Sequence, residues 1–140
     1  MIYINILHGA PCVGKSKMLT EKVSGVYKLD MTNCNYWLFQ NPEWGNVCIN
    51  YMIENIINNL HRSDMAITCG GLPHPEHYIY SQLEHEYSVK FVHTLVLVKD
   101  LEKYKQYVKE QKKPDQVVTI LKEYSLRVAS NNVYDETIYI

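Results

Sequence analysis

Short apolar runs alternate along the chain with stripes of apolar residues spaced three or four apart. The runs have the length of buried strands, whereas the stripes have the period of amphipathic helices. Strands are predicted at residues 2–7, 26–29, 65–69, 91–98 and 133–140. Helices are predicted at residues 15–24, 50–62, 75–87, 101–112 and 117–128. The segment between the second strand and second helix, residues 31–49, is predicted to be a long connection rich in aromatic side chains.

The order of these elements predicts the fold class. Strands and helices alternate without a hairpin signal, which favours parallel strands joined by right-handed helical crossovers. We therefore expect an α/β three-layer sandwich with a parallel five-stranded sheet, formed by one domain that spans residues 1–140. In such sheets, ligands bind beyond the carboxyl ends of the strands.

The composition of the chain limits which binding partners and which cellular compartment we expect. The net charge of -1 gives no bulk attraction to nucleic acid or to an anionic membrane. No apolar run approaches the roughly 18 residues of a membrane span, and no signal-peptide pattern precedes the first strand. The four cysteines have no C-x-x-C spacing, so neither a zinc site nor a disulfide framework is indicated. A cytoplasmic location without membrane contact is expected.

A glycine-rich segment between the first predicted strand and the first helix carries the most specific motif. Its sequence "GAPCVGKS" fits the phosphate-binding P-loop pattern. Phosphate oxygens need several converging donors, which backbone N–H groups before a helix N-terminus supply. We expect an exposed loop in which Lys15 reaches the β- and γ-phosphates and the Ser16 hydroxyl is a ligand of Mg²⁺. The predicted nucleotide-binding residues are Gly9, Ala10, Pro11, Cys12, Val13, Gly14, Lys15 and Ser16.

With this motif, a lone acid after the second strand and a polar break before the last helix, the chain resembles the small P-loop kinases. This superfamily holds shikimate, gluconate, nucleoside-monophosphate and polynucleotide kinases and zeta toxins. "AITCGGL" is similar to the glycine-rich end of strand three in shikimate kinases. "SVKFVHTLVLVKDLEKYKQYVKEQKKPDQVVTILKEY" resembles the strand, lid and helices of the polynucleotide-kinase and zeta-toxin branch. The resemblance implies ATP and Mg²⁺ as cofactors, Lys15 and Asp30 as catalytic residues, and Ser16 and Asp30 at the metal.

The resemblance implies further site residues, each with a plainer alternative. The acceptor would lie near Asp30, Trp37, Gly70 and Gly71. The alternative for Asp30 is a residue that caps a helix or turn. The alternative for Trp37 is a side chain that covers the hydrophobic core. Arg127 would reach the phosphates from the last helix, or form a salt bridge on that helix. A solvated helix face equally explains the lysines of the lid region. The predicted lid residues are Lys109, Lys112 and Lys113.

Two departures from the family pattern bear on the function. Family lids usually carry arginines, and lysine cannot give the bidentate clamp of a guanidinium. The third strand also ends without the usual Walker B aspartate. The leading expectation is an ATP-dependent kinase with a small acceptor, preferably a nucleoside or nucleotide. The alternatives are a 5′-hydroxyl polynucleotide kinase, which the net charge disfavours, and a non-catalytic nucleotide-binding regulatory protein.

Overall fold

A computed structural model describes residues 1–21, 24–31, 42–61, 63–68, 73–130 and 133–140. Its strands and helices follow one another in the predicted order. The strands are β1 (Ile2–His8), β2 (Tyr27–Asp30), β3 (Met65–Thr68), β4 (Val89–Leu97) and β5 (Glu136–Tyr139). The helices are α1 (Lys15–Glu21), α2 (Pro42–Asn59), α3 (Tyr78–Glu86), α4 (Leu101–Glu110) and α5 (Gln116–Ser130).

The five strands form one parallel sheet in the order β2-β3-β1-β4-β5. Strand β1 lies at its centre, where Ile4 pairs with Met65 of β3 on one side and with Phe91 of β4 on the other. A central parallel strand is buried on both faces, which explains its nearly continuous apolar run. The predicted α/β fold with a parallel five-stranded sheet is confirmed.

The two faces of the sheet are covered unequally. Alternation along β1 turns Ile4 and Ile6 to one face, where they pack beneath α2 and α3 in the largest core cluster. Leu7 turns to the opposite face and meets Leu19 of α1. A further cluster joins the end of β4 to α4 and α5. None of the helices in the described ranges is long and apolar enough to cross a membrane.

Helix α2 begins earlier than the sequence pattern predicted. It starts at Pro42 rather than near residue 50, so the predicted connection is wrong over its last part. Proline suits the first turn of a helix because the N–H that it lacks has no intrahelical partner there. The buried residues of α2 include Cys48, Met52 and Ile56, whereas Ile57 is 38% exposed.

Candidate nucleotide-binding site

The motif segment forms a tight turn between the end of β1 and the start of α1. Gly9 has φ 155°, and a Cβ built there would lie 2.8 Å from the Val96 carbonyl oxygen of β4. Gly14 has φ 103°, and a Cβ there would lie 3.1 Å from the Ile140 side chain. The loop therefore needs both glycines, the first to lie flat against β4 and the second for its backbone conformation.

Lys15 is folded back beneath the loop. Its Nζ donates hydrogen bonds to the carbonyl oxygens of Gly9 and Ala10, each at 2.7 Å. The side chain is only 6% exposed, so the loop is less exposed at this residue than the sequence predicted. Burial follows from these two carbonyls, which replace water as partners of the ammonium. Lys15 therefore braces the loop as well as placing a positive charge there.

Helix α4 holds the outer part of the loop. The hydroxyl of Tyr104, a buried residue, donates to the Pro11 carbonyl oxygen at 2.7 Å. Burial, with a smaller contribution from the charge of Cys12, raises the pKa of Tyr104 far above its ordinary value, so it stays a donor. Cys12 has φ 67°, which a non-glycine residue adopts at a cost. The contact fixes this strained part of the loop to α4.

Two buried histidines lie behind the loop. His8, the last residue of β1, has its Nε2 at 2.9 Å from Nδ1 of His93 in β4. Both imidazoles are mostly removed from water, 1% and 7% exposed. Burial, followed by the positive charges of His93, His74 and Lys15, lowers the pKa of His8 well below its ordinary value. Sequence analysis missed this pair, because only the register of β1 and β4 brings the two residues together.

Asp30 lies at the carboxyl end of β2, exposed, beside Thr68 of β3. Its carboxylate makes no hydrogen bond or ion pair with the described part of the chain, so no contact there supports the capping interpretation. One strand separates β2 from β1. At about 4.8 Å per strand spacing, Asp30 lies roughly 10 Å across the sheet from the end of β1.

Thr68 is a residue that sequence analysis did not single out. It ends β3 between Leu7 of β1 and Asp30 of β2. Its Oγ1 is buried and, in the part of the chain that the structure describes, has no hydrogen-bond partner. A buried hydroxyl without a partner is costly, and this one lies at the ligand-binding edge of the sheet.

The predicted lid lysines lie where helices α4 and α5 are joined by a well-defined turn. After α4, Lys113 N–H donates to the Val108 carbonyl and Lys112 N–H to the Lys109 carbonyl. Lys112 has φ 54°. This is a Schellman motif with lysine at the left-handed position that glycine usually occupies. All three predicted lid lysines are exposed at this turn.

Arg127 lies in the last turn of α5. Its guanidinium is 5.5 Å from the centre of the Tyr124 ring. It also forms a hydrogen bond to Tyr134, whose pKa is raised by burial and lowered, to a smaller degree, by the charge of Arg127 and this hydrogen bond. Arg127 therefore lies against the side chains of Tyr124 and Tyr134.

Three predicted acceptor residues, Trp37, Gly70 and Gly71, lie outside the described residues. Ser16 is exposed as the second residue of α1, directly after Lys15. Among the residues whose placement is described, no three His, Cys, Asp or Glu side chains are grouped so as to hold a metal ion.

Comparison with known structures gives a match over nearly the whole chain. A shikimate kinase from Acinetobacter baumannii, solved in complex with shikimate, is similar with a TM-score of 0.56 and 17% identity. The match covers 99% of this chain and 83% of that chain. An uncharacterized protein from Eubacterium ventriosum has a TM-score of 0.47 and 12% identity, over 99% and 88% of the two chains. No family model and no curated protein matches the sequence.

The chain thus has a fold of the small P-loop kinase type. In this fold its phosphate-loop motif lies where the sequence predicted it, between the central strand and the first helix. The loop, Ser16, Thr68 and Asp30 lie along one edge of the sheet, in that order from β1 to β2.

Proposed function

We propose that this protein is an ATP-dependent kinase, which transfers the γ-phosphate of ATP to a hydroxyl or phosphate group of a small acceptor. The observation that carries the proposal is the loop from Gly9 to Ser16, closed over Lys15 by two hydrogen bonds of 2.7 Å, at the carboxyl end of a central parallel strand. Phosphoryl transfer depends mainly on positioning and on charge neutralisation. A braced loop with a fixed ammonium supports both.

The loop is the proposed donor site. Its backbone N–H groups would bind the phosphate oxygens of ATP. Lys15 would keep its hydrogen bonds to the Gly9 and Ala10 carbonyls and place its positive charge beside the β- and γ-phosphates. The lid residues Lys109, Lys112 and Lys113 and the helix residue Arg127 would add positive charge from the far side. We expect the lid contribution to be small, because exposed lysines are hydrated and flexible.

Mg²⁺ fits the oxygen donors at this edge. Ser16 would supply a hydroxyl and Asp30 a carboxylate through water. The Thr68 hydroxyl, which has no hydrogen-bond partner among the described residues, would be a further hydrogen-bonding site for such water. When bound, Mg²⁺ supplies neutralisation of the charge on the phosphate oxygens. Asp30 would accept the proton of the acceptor hydroxyl or orient that hydroxyl for attack on the γ-phosphorus.

The acceptor is proposed to lie between the loop and Asp30. A nucleoside or nucleotide is our preferred class, because the sequence between β2 and α2 contains Tyr36 and Trp37, and aromatic rings stack on bases. The shikimate bound by the similar kinase makes a small hydroxylated acid the natural competitor in a substrate test. We propose that the protein works in the cytoplasm on a small-molecule acceptor, with a nucleic-acid end as the less favoured alternative and without a membrane partner.

The test is a transfer assay with γ-labelled ATP and Mg²⁺ on a panel of nucleosides, nucleotides, shikimate and a 5′-hydroxyl oligonucleotide. ATP binding is measured in parallel by calorimetry, with Lys15→Ala as the matched negative control. Label transfer to one small acceptor, absent in that variant, is the expected result. Tight ATP binding without transfer to any acceptor would instead indicate a regulatory nucleotide-binding protein. Transfer to the oligonucleotide alone, with strong salt dependence, would indicate a nucleic-acid kinase.

A further inference from the structure

The buried imidazole pair behind the loop has no part in the proposed transfer reaction. His8 is the last residue of β1, and the peptide bond after it opens the phosphate-binding loop at Gly9. The two imidazoles are 2.9 Å apart, so one ring must donate and the other accept. The pair adds a side-chain link to the backbone hydrogen bonds between β1 and β4.

His93 is itself held from two sides, by Asp135 just before β5 and by Tyr80 of α3. Its backbone N–H donates to the Asp135 carboxylate at 2.8 Å, and the Asp135 N–H donates back to the His93 carbonyl at 2.9 Å. The Tyr80 ring of α3 meets the His93 ring edge-on, with centroids 4.4 Å apart. The Tyr134 ring meets His8 edge-on at 5.3 Å. A partner fixed in this way can fix His8 in turn.

The position of His8 is transmitted to Lys15 through one residue. The Gly9 carbonyl oxygen accepts a hydrogen bond from Lys15 Nζ, and the Gly9 α-carbon lies so close to the Val96 carbonyl that no Cβ fits between them. A change in the direction of the chain at His8 would therefore move the Gly9 carbonyl and the ammonium that it holds.

We propose that the hydrogen bond between His8 and His93 is a positioning contact that sets the phosphate-binding loop for the nucleotide. The proposal rests on the proposed function, since the property that it controls is nucleotide affinity. Both histidines act through Gly9 and Lys15 and do not touch the nucleotide.

The surrounding charges are consistent with a neutral pair at pH 7. Burial is the main cause that lowers the pKa of His93 to about 4, opposed by the negative charges of Asp135 and Glu84 and assisted by His74 and Lys90. Around His8, the positive charges of His74 and Lys15 act in the same direction as burial. Two protonated rings would place an N–H against an N–H, so the contact needs at least one neutral ring.

The experiment compares variants that keep the hydrogen bond with variants that remove it. In His93→Asn, the amide can take the place of Nδ1, and in His8→Gln, it can take the place of Nε2. His93→Phe keeps a ring of similar size but removes the partner of His8. The Kd for Mg·ATP is measured by calorimetry at pH 7.5, and the unfolding temperature of each variant is measured alongside.

We expect His93→Phe to raise this Kd about tenfold, as for the loss of one buried hydrogen bond. His93→Asn and His8→Gln should stay within about threefold of the wild type. Because His93→Phe leaves a buried polar group unpaired, the double variant His8→Phe/His93→Phe serves as a second test, since replacing both partners by apolar rings can be nearly neutral for stability. We expect the double variant to fold and to show the same raised Kd for Mg·ATP as His93→Phe.

Wild-type affinity in the double variant, or in a folded His93→Phe protein, would show that the pair serves stability alone and would overturn this proposal. The same Kd in His93→Asn as in His93→Phe would also overturn it, because the hydrogen bond would then have no effect. Absence of Mg·ATP binding by the wild type is a different result. It would remove the proposed function and this inference together.

Discussion

The proposed phosphate-binding loop and the turn between α4 and α5 both contain lysines, but they are built in opposite ways. Lys15 is 6% exposed and holds two backbone carbonyls at 2.7 Å. Lys112 is exposed, and its own backbone is left-handed. A buried charge with fixed partners needs little rearrangement when a ligand binds, whereas ordering an exposed lysine costs about 1.5–2 kcal/mol of side-chain entropy. The loop should therefore dominate nucleotide binding.

The sharpest test of this difference is Lys15→Ala. It removes the ammonium from the phosphates and also the brace between the Gly9 and Ala10 carbonyls, so kcat/KM should fall about 10³-fold, the upper end for one positioned donor. The measurement is steady-state kinetics with the acceptor found by the panel. Lys17→Ala, at an exposed lysine on the same helix, is the matched control and should stay near the wild type. Near-normal turnover of Lys15→Ala would show that the loop lysine does not dominate nucleotide binding.

Asp30→Asn tests the proposed acceptor site at the carboxyl end of β2. If Asp30 orients or deprotonates the acceptor, kcat should fall about 10²-fold while the Kd for ATP changes little. Kinetics and calorimetry together separate the two effects. Glu54→Gln, at an exposed acid on α2, is the control. A lower unfolding temperature with unchanged kcat would restore the capping interpretation of Asp30.

The histidine pair behind the loop predicts a pH dependence of stability. The folded-state pKa values of His8 and His93 lie below the ordinary 6.5, so the unfolded chain binds more protons as the pH falls below 6.5. The free energy of unfolding should then decrease, by up to about 1.4 kcal/mol per pH unit for each histidine. Urea titrations between pH 5 and pH 7.5 measure this slope. An equal slope in His8→Phe/His93→Phe would assign it to other groups.

Tyr104→Phe tests the contact between helix α4 and the loop. The variant loses the 2.7 Å hydrogen bond to the Pro11 carbonyl and keeps the ring in the core, so we expect a loss of about 1 kcal/mol in the free energy of unfolding. The Kd for Mg·ATP should rise about threefold, because the strained part of the loop is less restrained. Tyr107→Phe, at an exposed tyrosine on the same helix, should change neither quantity.

The smallest expected effect is at the lid turn itself. Lys112→Gly removes a side chain from a left-handed position, which should raise the free energy of unfolding by about 0.5–1 kcal/mol. We expect kcat to fall by no more than about fivefold, since hydrated lysines contribute little. Thermal unfolding and kinetics on the same preparation measure both. A far larger loss of kcat would make the lid an equal partner of the loop.

The sequence predicted the order of the elements and the parallel five-stranded sheet, because each strand is an apolar run and the helices have a clear period. It also predicted the loop, because both glycines and Lys15 lie within one short segment that matches the P-loop pattern. The start of α2 was missed because Pro42 and its neighbours lack a strong apolar stripe. His8 and His93 could not be paired from the sequence, because their contact depends on the register between strands that are far apart in the chain. The burial of Lys15 depends on the path of the loop backbone, which the motif alone does not specify.

The central position of β1 has a consequence for folding kinetics. Both neighbours of β1 in the sheet come from much later in the chain, as the pairing of Ile4 with Met65 and Phe91 shows. Closing such long segments costs entropy before the contacts form, so non-local parallel pairing is slow. The loop also depends on Tyr104 of α4. Recovery of nucleotide binding during refolding should therefore lag behind helix formation and mark the completion of the native state.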